Sequence, residues 1–115
     1  MKIIHYSDVE PTDFAGRAEK VTGRVLLGKA DGAENYCMRL IELAPGGRVP
    51  PHIHAWEHEQ FVYSGKGRAL RGDEWVEFGP GTAMFVPGNA RHALENTGDE
   101  PLLIVCLVPP SAPEL

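Results

Sequence analysis

The stretch Gly46-Gly-Arg-Val-Pro-Pro-His-Ile-His-Ala-Trp-Glu-His-Glu-Gln-Phe-Val-Tyr-Ser-Gly65 carries three of the chain's five histidines within seven residues. Glycines bracket it, Pro50-Pro51 precede the histidines, and Phe61-Val-Tyr63 reads as a short β run that stops at Ser-Gly-Lys-Gly67. His52 and His54 are two apart, so on a strand both rings project from one face and offer one ion two imidazoles. His58 lies four residues further on. His92 sits in a second turn-rich segment that folding must bring across. These four form the candidate metal site; imidazole suits Zn, Cu, Fe and Ni, with Mn less typical. The plain alternative is a group of exposed histidines beside a Pro-Pro turn. His5 is given no role.

His54-Ala-Trp-Glu-His58 also fits the H-x-x-E-H pattern of inverted zinc proteases, which sets its two histidines one helical turn apart. That scheme needs a helix. Here two prolines precede the segment and a β-branched run ending in glycine follows it, so the protease reading is set aside.

Strand signals continue on both sides. Arg24–Gly28, Tyr36–Leu43, Arg68–Arg71, Glu74–Phe78, Thr82–Val86, His92–Glu95 and Leu102–Val108 are short apolar or alternating runs. Turn clusters lie between them: Ala-Pro-Gly-Gly47, the glycine-first pair Gly72-Asp73, Gly-Pro-Gly81 and Asn-Thr-Gly-Asp99. No amphipathic helix of ten residues or more and no internal repeat is present. Thirteen glycines and ten prolines in 115 residues, spread without a short period, agree with many turns between many short strands. The expectation is an all-β single domain, residues 1–115, forming an antiparallel barrel. Pro109-Pro-Ser-Ala-Pro113 cannot continue a sheet, so 109–115 is expected to be a loose tail.

The net charge of −5 and the lack of a basic stripe argue against nucleic acid as a partner. The apolar runs are too short to span a bilayer, and Met1–Thr12 lacks the apolar core of a signal peptide, which makes the cytoplasm the default expectation. Cys37 and Cys106 lie far apart in strand-like runs and are expected to be buried and reduced.

The histidine segment resembles the first motif of the cupin superfamily, G-x5-H-x-H-x3,4-E-x6-G: Gly46, His52, His54 and Gly65 keep its frame, and His58 stands where most cupins carry glutamate. Glu59 fills that slot only with altered spacings. Gly81, Pro87, His92 and Asn96 match the second motif, G-x5-P-x-G-x2-H-x3-N, with Asn89 in place of a glycine. Asparagine tolerates the left-handed conformation better than most residues. The 15 residues between Gly65 and Gly81 match the hairpin of compact cupins.

The resemblance implies a double-stranded β-helix, or jelly roll. The run His-Ala-Trp-Glu-His-Glu followed by Phe-Val is similar to small single-domain cupins with four histidine ligands, which bind manganese or other divalent ions. It implies a mononuclear Mn- or Fe-dependent oxidoreductase of dioxygenase type acting on a small organic substrate, with O₂ as co-substrate, and a homodimer. A non-catalytic binding barrel and a metal-dependent isomerase are the alternatives, and a closed tetrahedral zinc would be structural. Four neutral ligands would leave the ion's +2 charge uncompensated, with two positions open on an octahedral ion.

Around the histidines, Glu57 or Glu59 would take up a ligand's second N–H, or would simply be solvated charges. Trp56 covers the site or packs at its rim. Cys106 shares its alternate face with Ile104 and Val108, which places it in the barrel as a pocket wall near the metal or as an inert buried thiol. Arg39, in an otherwise apolar strand, either faces inward and meets an acidic substrate or faces solvent.

Overall fold

Alternation explains the architecture. In Leu102–Val108, every second residue is buried and the intervening ones are half-exposed, the period-two signature of a strand with one face on a core. The computed structural model describes all residues, Met1–Leu115. Nine strands follow in order: β1 (Thr12–Asp13), β2 (Glu19–Leu27), β3 (Cys37–His52), β4 (His58–Ser64), β5 (Gly67–Arg71), β6 (Glu74–Phe78), β7 (Ala83–Val86), β8 (His92–Asn96) and β9 (Leu102–Val108). The helical content is two three-residue 3₁₀ turns, Tyr6–Asp8 and Lys29–Asp31. All nine strands join one curled sheet, with the path β6-β5-β8-β3-β9-β4-β7 and with β2 and β1 attached to the side of β3. Every pairing is antiparallel. The expected all-β cupin fold is the one observed.

β3 is longer than its sequence suggests. Ala-Pro-Gly-Gly47 was expected to end a strand at Leu43, but the chain bends there and continues to His52. Up to Leu43 it pairs with β9, and from Arg48 it pairs with β8. The extra residues sit in a bulge opposite β2, between the Val21–Leu43 and Glu19–Arg48 partners, and Gly46 takes a φ of +78° there. A bulge turns a strand without ending it, and this one carries β3 from one wall of the barrel to another. The predicted two-residue hairpin is present: Arg71 pairs with Glu74 around Gly72, whose φ is +65°.

The inner wall is built in rows, because directly opposed residues on neighbouring strands point to one face. Leu43 faces Leu102, Ile41 faces Ile104, and Ile104 faces Val62; all are buried. One row further along, Arg39 faces Cys106, and Cys106 faces Gln60. In the next, Cys37 faces Val108. Burial and the nearby Glu114 carboxylate push the Cys37 thiol up to about 11. Both cysteines are buried and unbridged.

Residues 109–115 correct the expectation of a loose tail. The prolines do keep them out of the sheet, but a turn closed by the Ala112 N–H donating to the Pro109 carbonyl folds them back. Ala112 joins the core cluster, and Glu114 Oε2 accepts from the Lys29 N–H at 2.8 Å. A segment without ladder bonds is held here by side-chain burial and by Glu114, whose carboxylate meets Lys29 and Cys37.

Candidate metal centre

His52 is the last residue of β3, and His58 and His92 open β4 and β8. His54 lies in the loop between β3 and β4. The expectation that one strand carries both His52 and His54 is therefore corrected: only His52 is on a strand, and loop hydrogen bonds aim His54 at the same point.

Three rings are held alike. His52 Nδ1 meets the Pro50 carbonyl, His54 Nδ1 the Trp56 carbonyl and His92 Nδ1 the Ala90 carbonyl, each at 2.8 Å. A carbonyl oxygen only accepts, so each neutral ring carries its proton on Nδ1 and its lone pair on Nε2. The two loops are tied together where the Asn89 N–H donates to the His54 carbonyl at 2.7 Å. Asn89 has a φ of +65°, so the asparagine at the motif's glycine position does adopt the left-handed turn. The β3–β8 ladder sets His92 opposite His52, and this tie holds the loop carrying His54 beside them.

The ligand atoms of His52, His54 and His92 all lie within 4.8 Å of one another. His92 Nε2 is buried without a hydrogen-bond partner, an orphaned lone pair that a cation would satisfy. Donor type, tautomer and convergence fit a divalent transition-metal ion. His58 stands outside this trio but touches it, with its Nε2 2.8 Å from His54 Nε2. Its other nitrogen faces a sulfur instead of a carbonyl: Nδ1 lies 3.3 Å from Cys106 Sγ. Burial, aided by the Arg39 charge, pulls the His58 imidazole down to about 3. Burial likewise lowers His92 to about 4 and His54 below its ordinary value. All three rings are thus neutral at pH 7, the form that binds metal.

The centre opens into a cavity of about 430 Å³ whose wall includes Ile41, Val49 and Leu94. Trp56 does both things considered for it: it lines this cavity and stacks on His54, with ring centroids 4.3 Å apart and planes 6° from parallel. Arg39 faces inward and borders the cavity, and Cys106 and Ile104 are fully buried. Glu59 is corrected. It projects from the exposed face of β4, where neighbouring Glu57 holds its carboxyl above the usual range. The ligand rings take backbone carbonyls in place of either glutamate.

Gln60 is the pocket residue that the sequence reading missed. It is 9% exposed and lies on the His58 side of β4. The alternation His58-x-Gln60-x-Val62 is the signal that would have found it.

A curled antiparallel sheet with a histidine cluster on the wall of its cavity defines a small β-barrel protein with a site that could hold a metal ion. The cupin domain family model matches residues 39–108, and the chain belongs to that family. Tetracenomycin polyketide synthase protein TcmJ from Streptomyces glaucescens is 32% identical over 113 residues, covering 96% of this chain and 72% of that protein. The structure of the polyketide cyclase RemF from Streptomyces resistomycificus superposes with a TM-score of 0.88 at 31% identity, covering 95% of this chain and 79% of that one. Mannose-1-phosphate guanylyltransferase RfbM from Salmonella typhimurium is 33% identical over 76 residues, 65% of this chain but 16% of that enzyme.

Proposed function

We propose that this cupin is a metal-dependent enzyme that promotes ring closure in a small polycarbonyl substrate, with His52, His54, His58 and His92 as ligands to one divalent ion. The observation that carries the reading is the convergence of the lone-pair-bearing Nε2 atoms of His52, His54 and His92 on the wall of a cavity that Ile41, Val49 and Leu94 also line. The nearly full-length likeness to a polyketide cyclase supports the substrate class. A bound ion would act as a Lewis acid on neighbouring carbonyl oxygens and favour enolisation of the carbon between them.

The protein's own part is positional. The Pro50, Trp56 and Ala90 carbonyls fix the ring orientations, and Ile41, Val49 and Leu94 hold a folded apolar chain away from water. Manganese is the metal that the resemblance to small four-histidine cupins favours, while Fe, Zn, Ni and Cu suit the same nitrogens on ligand type.

The second reading is the Mn- or Fe-dependent oxidoreductase implied by the resemblance. The observation favouring it is that all four proposed ligands are histidines with no carboxylate among them, a set that would leave the ion's charge uncompensated. Dioxygen separates the two: cyclisation of a synthetic poly-β-ketone proceeds without oxygen, whereas an oxygenase stops. The decisive experiment measures metal content, coordination and anaerobic turnover on one preparation. One ion per chain with open positions and oxygen-independent ring closure is expected. A closed four-nitrogen zinc that supports no turnover would overturn the enzyme reading. The homodimer belongs to the same proposal, and a monomeric mass in sedimentation would remove it.

A further inference from the structure

Beside the buried histidines, the inner wall carries a polar row across β3, β9 and β4. Arg39 on β3, Cys106 on β9 and Gln60 on β4 stand directly opposite one another across three adjacent strands. Arg39 is 8% exposed, Gln60 9% and Cys106 0%. The guanidinium donates to Cys106 Sγ at 3.0 Å and, over a long 3.4 Å, to the Glu114 carbonyl. Its Nε has no partner, and neither does Gln60 Oε1.

Every ion pair in the chain uses a different base: Lys2, Arg24, Arg48, Arg68 or Arg71. The Glu114 carboxylate does not come within ion-pair distance of Arg39; its Oε2 accepts from the Lys29 N–H. A buried cation is normally met by an anion, because desolvation is otherwise uncompensated. Within ion-pair distance of Arg39 the chain supplies none. Arg39 and Gln60 border the same cavity as His52, His54, His58 and His92, and a single sulfur stands between the guanidinium and the His58 ring.

We propose that Arg39, with Gln60 beside it, is the anchoring subsite for a carboxylate carried by the substrate. The inference rests on reading this cavity as a substrate pocket, and it adds the substrate's class: a carbonyl compound with a carboxylate near the carbon to be activated. The planar fork of arginine matches a carboxylate with two parallel hydrogen bonds. Gln60 Oε1 would accept from a neighbouring hydroxyl. Held at Arg39, a substrate presents its next carbonyl toward the histidines, so the anchor fixes which carbon reacts.

The test uses benzoate and its neutral counterpart benzamide, titrated into the full chain with metal loaded and after chelation. Nitrogen-resolved NMR follows the Arg39 Nε–H. Benzoate is expected to bind in both states and to move that resonance, with benzamide about ten- to a hundred-fold weaker, as loss of hydrogen bonds to a charged group implies. Arg39→Met should weaken benzoate by a similar factor and leave benzamide unchanged, and Arg39→Lys should restore only part of it. An unmoved Arg39 signal, no benzoate binding, or equal binding by Arg39→Met would overturn the proposal. Binding that vanishes on chelation would do the same, because it places the anion on the metal. Should ring closure fail while benzoate still binds at Arg39, the cyclase reading falls and the anchor stands.

Discussion

His52, His54 and His92 converge on one point and His58 touches them at His54, but the four rings are not held alike. His52, His54 and His92 lean on backbone carbonyls, whereas His58 leans on the thiol of Cys106. A carbonyl partner survives any side-chain substitution, so only His58 depends on one side chain for its orientation. Cys106→Ala is therefore expected to lower metal affinity by about ten- to a hundred-fold, the usual cost of losing a group that orients a ligand. Competition with a chromophoric chelator would measure it, and unchanged affinity would show that the thiol does not hold His58. The His92→Ala variant should bind far less than one ion per chain by elemental analysis, since it removes the buried lone pair that has no protein partner.

The turns between strands do as much as the strands to bring these residues together. Gly65, between β4 and β5, has a φ of +85°, and a Cβ there would lie 2.5 Å from the Pro101 carbonyl oxygen. Both strain and collision oppose a side chain, so Gly65→Ala should cost about 3 kcal/mol or more. Urea unfolding of the variant checks this, and a loss under about 1 kcal/mol would mean that the β9 approach yields easily. The bulge in β3 has the matching role on the other side. Without its change of partner from β9 to β8, His52 would continue along the first wall and miss His92, its partner across the β3–β8 ladder.

Taken whole, the barrel buries His58 and His92 in their neutral form, and this couples its stability to pH. In the metal-stripped protein, His58 and His92 are pulled down to about 3 and 4, while unfolded histidines titrate near 6.5. Between these values the unfolded chain binds more protons than the folded one, so stability falls as pH falls. Their contribution is fully present above about pH 6.5 and is lost progressively toward pH 3. Unfolding at pH 5 should take up about two protons from these residues, and His58→Gln should reduce that to about one. Urea midpoints measured across pH 4–7 read the slope directly; a flat profile would show that the rings are solvated. No helix is long and apolar enough to cross a membrane.

Local chemistry in the chain does not determine β1 or the full lengths of β2 and β3. It does determine most of the strands from β4 to β9, the Gly72-Asp73 hairpin, the left-handed turn at Asn89 and the identities of the clustered histidines. Each depends on a backbone preference or a period of two that neighbouring residues carry themselves. Other features are decided only by packing across the barrel. His54 reaches the site from a loop, Glu59 turns outward, the tail after Val108 docks against the core, and the Arg39–Cys106–Gln60 row forms from three separate strands. Those outcomes depend on strand register and on which backbone carbonyls lie nearest, and partners distant in sequence set both.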